Sequence, residues 1–271
     1  MIDLEIPRKF RPLLTQARGM AEEVFWPISR KYDLAEHTYP AELDVMAALI
    51  DGLGRSGSAR GADATGSAKA ETPNPSATPG VRNGANLSSV LSILETARGD
   101  VGLTLSIPRQ GLGNAAIAAV ANDEQKRRYA GRWAAMAITE PDTGSDSGAI
   151  RTTAVRDGDH YVLNGEKIFV TAGERAELVV VWATLDRSLG KQAIKSFVVE
   201  RSNPGLRLVR LEHKLGIRSS DTAAFVLEDC RVPAEDLLGD ADVRTAAGGF
   251  AGAMQTFDNT RPLVAAMALG L

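Results

Sequence analysis

The segment Met136-Ala-Ile-Thr-Glu-Pro-Asp-Thr-Gly-Ser-Asp-Ser-Gly148 holds the residue types best suited to chemistry in this chain of 271 residues. A strand ending at Thr139 is turned by Pro141. Thr143, Gly144 and Ser145 then make a small-residue loop whose backbone N–H groups and hydroxyls can approach a phosphate closely. The same residues also suit a plain polar β-turn, and local chemistry alone does not separate the two. A second stretch, Gly111-Leu-Gly113-Asn-Ala-Ala116, has the GxGxxA spacing of dinucleotide sites. It follows no predicted strand and lies among helices, so the context that makes that spacing a phosphate site is missing. His37, His160 and His213 are scattered, none at metal-ligand spacing from another ligand, and each reads as a surface or turn residue. The sequence contains no nucleophile elbow, phosphate-loop lysine motif or zinc-protease helix. The single cysteine, Cys230, excludes an internal disulfide or cysteine metal cluster and reads as a buried structural thiol.

Composition narrows the classes further. Lys and Arg number 31 against 34 Asp and Glu, a formal charge of −3. With no basic cluster, a nucleic-acid partner is not expected. The first residues lack the layout of a secretory signal, and no run of about 18 apolar residues offers a membrane span, so the chain reads as cytoplasmic. Apolar content of 44% predicts an ordinary folded core.

These residues must be positioned by a helical, then a strand-rich, then a helical stretch. Apolar positions from Phe10 to Ile28 recur at three and four residues, predicting an amphipathic helix that Pro27 kinks or ends. A second helix is expected from about Ala41 to Gly52. Ser56 to Asn86 has almost no large apolar residue and reads as a mobile loop or linker. Helices return at Leu87–Ala97 and Asn114–Ala121, and Asn122 with Gln125 forms an asparagine version of the capping box. From Ala134 the periodicity turns to that of strands, with Asp157-Gly158 and Asn164-Gly165 read as tight hairpin turns. After Asp240 the pattern is helical again. Helices and strands are thus segregated, an α+β fold. It divides into an N-terminal helical domain (1–133), a central antiparallel β domain (134–240) and the start of a C-terminal helical domain (241–271).

The stretches "ITEPDTGSD", "LNGEKIFVTAG", "LGIRSSDTAAFVLEDCRVP" and "FDNTRP", in that order, closely resemble the acyl-CoA dehydrogenase family of flavoenzymes. The resemblance implies FAD between the β domain and a C-terminal helical bundle, in a homo- or hetero-tetramer. It further implies an acyl-CoA substrate and an electron-transfer flavoprotein as electron acceptor. Carried over by motif, Met136, Ile138 and Thr139 would lie along the flavin ring, and Gly144 and Ser145 would meet the pyrophosphate, Ser145 also touching the pantetheine arm. Phe169 would stand against the ring, with Val170 beside it and the Thr171 hydroxyl reaching N5. Asp258, Asn259, Thr260 and Arg261 would contact CoA from the first turns of a long helix. In this family a glutamate removes the α-proton. At one of its two sites this sequence has Thr260, and the other is expected in sequence beyond Leu271, so the chain reads as lacking most of the C-terminal domain and its base. Glu140 belongs to the flavin loop and reads as structural. The apolar run after Pro262 then looks like a helix whose partners follow later. Other readings are a non-catalytic subunit of a hetero-oligomer, or a flavin monooxygenase or nitroalkane oxidase, which share the fold.

Overall fold

The apolar spacing between residues 10 and 28 produces a helix that runs through Pro27 to Leu34 without ending there. α1 (Arg11–Met20) passes into a π-turn over Ala21–Phe25 and then into α2 (Trp26–Leu34). In the wider turn the Trp26 N–H donates to the carbonyl of Ala21, five residues back. Pro27, which has no N–H to give, follows directly, so the irregularity is taken up locally. The computed structural model of the protein describes residues 5–55, 85–243 and 250–271. The stretch read as a loop, 56–86, lies outside them except for its last two residues, which open a helix.

The remaining N-terminal helices are α3 (Glu42–Arg55), α4 (Ala85–Ala97), α5 (Val101–Leu105), α6 (Leu112–Val120) and α7 (Asp123–Arg128). The capping box of α7 is complete: Gln125 N donates to Asn122 Oδ1 at 2.9 Å and Asn122 N to Gln125 Oε1 at 3.2 Å. The helix α5 is too short to show a period; Asp100 caps it by accepting from Leu103 N at 2.7 Å.

Helices α2 and α3 are joined by Glu42, which accepts from Tyr32 Oη at 2.5 Å and Lys31 Nζ at 2.9 Å. Those bonds push its carboxyl down from 4.5 to about 2. A lowered folded value means the contribution is complete above 4.5 and is lost as pH falls toward 2. The gap in melting temperature between wild type and Glu42→Gln should therefore be larger at pH 6 than at pH 3.5, as scanning calorimetry at the two pH values would show.

The strands are β1 (Ala134–Ala137), β2 (Thr153–Asp157), β3 (His160–Thr171), β4 (Leu178–Thr184), β5 (Ile194–Glu200), β6 (Leu206–Leu211) and β7 (Thr222–Pro233). They form one sheet in the order β1-β4-β2-β3-β7-β6, with β5 also on β4. Pairing is antiparallel as expected except along β4, which takes β1 and one residue of β2 in parallel. The Asp157-Gly158 hairpin exists, with Asp157 paired to His160. Asn164-Gly165 makes no hairpin. It sits inside the 12-residue β3 at a register shift against β7. An Asn-Gly pair suits a bulge as well as a turn, and here both flanks pair with the same neighbour.

All seven residues of β4 are buried. Val179, Val181 and Ala183 enter one core with Phe197 and Phe225, while Leu178, Val180 and Trp182 enter another with Met136, Ile138 and Ile117. A strand covered on both faces has no polar alternation to show. Cys230 lies in the first core, where burial pushes its thiol up to about 12. This fits the reading of it as a structural thiol.

The last helix, α8 (Phe250–Gly270), spans both layers. Its first half packs Ala253 and Met254 on the second core, and its second half buries Leu263, Ala266 and Met267 against Ile93 and Ala97 of α4. The apolar run after Pro262 is therefore covered on one face, while Val264 and Leu269 on the other are exposed.

Candidate active site

Beyond β1 the chain makes a tight turn in which Glu140 and Thr143 exchange backbone hydrogen bonds of 3.0 and 3.1 Å. Beneath it lies a buried ion pair. Glu140 Oε1 is 2.7 Å from Lys167 Nζ, the side chains being 6% and 0% exposed. The carboxylate also accepts from Arg151 N at 2.6 Å, Thr152 N at 2.9 Å and Thr152 Oγ1 at 2.5 Å. Lys167 gives a second bond to the Ile138 carbonyl at 3.1 Å. Burial opposes the charge on Glu140, but Lys167 and the other donors outweigh it and hold the carboxyl below its usual value. Burial likewise pushes Lys167 down to about 8, against the pull of Glu140. Both groups are charged at neutral pH, and Glu140 is committed to holding three segments together, the structural role its place in the loop suggested.

Over this foundation the loop from Gly144 to Gly148 forms one wall of a cleft of about 430 Å³. Ile138 and Thr139 also line it, and the opposite wall is α8, through Phe250, Met254, Phe257 and Arg261. Those four recur at helical spacing and make one stripe. Lys191 closes one end with its ammonium 5.3 Å from the Phe250 ring centre. Its stem crosses Gly148, where a Cβ would lie 2.2 Å from Lys191 Cε, so a larger residue there would push the flexible lysine stem aside. Gly144 and Ser145 are exposed, and their backbone N–H groups donate no hydrogen bond to the described residues. A donor-rich edge beside an apolar and aromatic wall suits a ligand that has both a pyrophosphate and a flat ring.

Of the residues singled out by sequence, Ile138, Thr139, Gly144, Ser145 and Arg261 line the cleft. Met136 is buried in the core behind it. Phe169 is 60% exposed, next to Ile168, whose N–H donates to the Thr139 carbonyl at 2.9 Å. Val170 is buried in the other core, and Thr171 is half-buried opposite Thr222. Asp258 and Asn259 are exposed, Asp258 accepting from Arg261 Nη1 at 3.2 Å. Thr260 is buried, and its hydroxyl donates to the Thr256 carbonyl at 3.0 Å. These four residues sit within α8, more than two turns after its start at Phe250, and not in its first turns as expected.

Sequence reasoning missed Lys191, Phe250, Met254 and Phe257. The 3-4 spacing from Phe250 to Phe257 was the available signal; Lys191 lies in the 3₁₀ segment Arg187–Ala193, which has no period. The "LGIRSSD" stretch serves packing. Asp221 pairs with Arg175 at 3.3 Å and accepts from Glu174 N at 2.9 Å, and the Ser219 carbonyl accepts from Ser106 Oγ at 3.1 Å. His37 and His213, read as unconnected, stand with ring centres 5.0 Å apart. That proximity is a product of the tertiary fold and leaves no trace in spacing.

The family model for the acyl-CoA dehydrogenase middle domain matches residues 135–230, the stretch that carries the loop, the ion pair and the sheet. The solved structure of butyryl-CoA dehydrogenase from Megasphaera elsdenii superposes with a TM-score of 0.77 at 30% identity, covering 99% of this chain and 67% of that one. The chain belongs to the acyl-CoA dehydrogenase family. Among curated relatives, the acryloyl-CoA reductase (NADH) of Anaerotignum propionicum is 32% identical across 100% of this chain and 64% of its own length. The human mitochondrial short-chain specific acyl-CoA dehydrogenase is 33% identical across 99% of this chain and 61% of its own. The chain thus spans somewhat less than two thirds of the length of these curated relatives. Among the described residues no helix is long and apolar enough to cross a membrane.

Proposed function

We propose that the whole protein is an FAD-dependent acyl-CoA dehydrogenase that converts an acyl-CoA thioester to the 2,3-enoyl-CoA. The observation that carries this reading is the cleft itself, a small-residue donor loop facing an aromatic stripe of α8. Gly144 and Ser145 would hold the pyrophosphate of FAD through their backbone N–H groups, with Lys191 adding positive charge. Thr139 would hydrogen-bond the pyrimidine edge of the ring, and Phe169 would shield one face from water. Thr171 would donate to N5. Bound FAD supplies the acceptor for the hydride lost from the acyl β-carbon. Arg261 would pair with CoA oxygens, and Asp258 would orient its guanidinium. Asp146 is the one carboxylate among the described lining residues, and it is exposed. A base must instead be buried beside apolar substrate so that its pKa rises. Proton removal is therefore not assigned to any described residue lining this cleft.

The reading extends to a cytoplasmic tetramer that passes electrons to an electron-transfer flavoprotein. Reduction in the opposite sense is the second reading, because one relative is described as an acryloyl-CoA reductase (NADH). Anaerobic titration of the purified whole protein with butyryl-CoA separates these. Bleaching of the flavin band supports dehydrogenation, and NADH oxidation driven by acryloyl-CoA without such bleaching supports the reverse. Absence of flavin would refute both. Within the first reading, Arg261→Gln should raise KM for acyl-CoA about tenfold with little change in kcat, the pattern of lost uniform binding. Steady-state kinetics on both proteins checks this, and a fall in kcat with unchanged KM would contradict the assignment.

A further inference from the structure

The turn between α2 and α3 and the turn that follows β6 converge on three side chains able to ligate a metal. One ligand atom from each of Glu36, His37 and His213 lies within 4.8 Å of the other two. Glu36 is nearly buried, at 8% side-chain exposure, and its Oε2 is 3.0 Å from His213 Nδ1. Its other oxygen accepts from Lys214 N at 2.8 Å. Both ring nitrogens of His37 are shielded from solvent and have no hydrogen-bond partner among the described residues. An ion pair between Glu36 and His213 accounts for two of the three residues and leaves this imidazole unexplained, and buried polar atoms are rarely left without a partner.

We propose that Glu36, His37 and His213 bind one divalent cation of the zinc class, apart from the cleft and independent of its chemistry. Two imidazoles and one carboxylate match the ligand set of borderline metals in four-coordinate sites, with a water completing the shell. Tetrahedral ligands at metal–ligand distances near 2.0 Å stand about 3.3 Å from one another, so groups that now lie within 4.8 Å need to close by at most about 1.5 Å. His213 has the freedom to do so, its side chain being 84% exposed. Arg218, 3.4 Å from Glu36 Oε2, is the competing cation. It shares that oxygen with His213. A bound ion would tie the helical layer to the sheet at this point, because Glu36 and His37 follow α2 and His213 follows β6.

The test uses the purified protein without a histidine tag, stripped with a chelator and titrated with cobalt(II) chloride and, separately, with zinc chloride. One equivalent of cobalt should produce the visible absorption of a tetrahedral site, zinc should displace it, and saturating zinc should raise the melting temperature. His37→Ala and His213→Ala should each abolish the cobalt band. Circular dichroism in chelator confirms folding, and the exposed His213 position provides a readout even where His37→Ala folds poorly. No saturable binding below about 100 µM, or a cobalt band that survives His213→Ala, overturns the proposal.

Discussion

Lys167→Met should lower the unfolding free energy at pH 7 by about 3 to 5 kcal/mol, the usual cost of removing one member of a buried ion pair. The substitution leaves the Glu140 carboxylate, 6% exposed, without its ammonium. The backbone N–H groups of Arg151 and Thr152 and the Thr152 hydroxyl remain as donors. They satisfy hydrogen bonds but supply no countercharge. The variant can escape part of the cost by protonating Glu140, whose folded pKa then rises above the unfolded value of 4.5. A raised carboxyl contributes stability at low pH and loses it as pH rises. The deficit relative to wild type should therefore be smaller at pH 5 than at pH 7. Lys167→Met with Glu140→Gln should recover more than half of the loss, because a neutral amide retains the acceptor without the charge. Urea unfolding of the three proteins at the two pH values measures all of this. A single variant within about 1 kcal/mol of wild type would mean that the pair does not organise the turn. Flavin content should fall in parallel, because Lys167 also holds the Ile138 carbonyl at the floor of the cleft.

Gly113→Ala should be comparably damaging, at about 3 kcal/mol, near the upper end of overpacking costs. A Cβ at this position of α6 would lie 2.3 Å from the Ala135 carbonyl oxygen and 2.4 Å from that of Ala134. Both contacts are to the backbone of β1, so no side-chain rotation relieves them. The helix must withdraw, straining the bonds by which Asn114 holds β1, from Nδ2 to the Arg132 carbonyl at 2.7 Å and from Ala134 N to Oδ1 at 3.0 Å. The end of β1 carries Met136 to Thr139, so flavin content should drop with stability. Gly19→Ala in α1 is the matched control. Nothing lies within 4 Å of the point where its methyl group would stand, and alanine there should stabilise by up to about 1 kcal/mol. Thermal unfolding of both variants decides the matter: if Gly113→Ala melts like the control, the close approach is not tight.

The close approach at Gly113 explains why a dinucleotide-like spacing stands in the wrong place. Glycine permits a helix to abut a strand closely, and that requirement arises with or without a phosphate nearby. Other features were legible for equally local reasons. The capping box at Asn122 and Gln125 and the turn forced by Pro141 act within a few residues of sequence. What escaped depended on distant partners. Asn164-Gly165 became a bulge because β7 pairs with both of its flanks, and the parallel contact of β1 with β4 joins segments with no shared pattern. FDNTRP has the look of a helix start because Pro262 suits a first turn, yet α8 begins at Phe250 and tolerates the proline internally. The aromatic wall of the cleft was lost with that boundary. The meeting of His37 with His213 depends wholly on how the helices dock on the sheet.

Phe169 sits in β3 with a φ of 57°, at the register shift between Lys167 and Val170. A bulky residue in that region carries roughly 1 to 3 kcal/mol of strain, and its ring, 60% exposed, recovers little by burial. Random substitution screened only for thermal resistance would favour glycine or asparagine at this position, since either relaxes the backbone. On the proposed role of Phe169 in shielding the flavin, a library sorted by flavin retention should be pulled the other way. Residue 169 is thus a place where selection for robustness and selection for occupancy of the cleft diverge, and consensus stabilisation of the chain should leave it untouched.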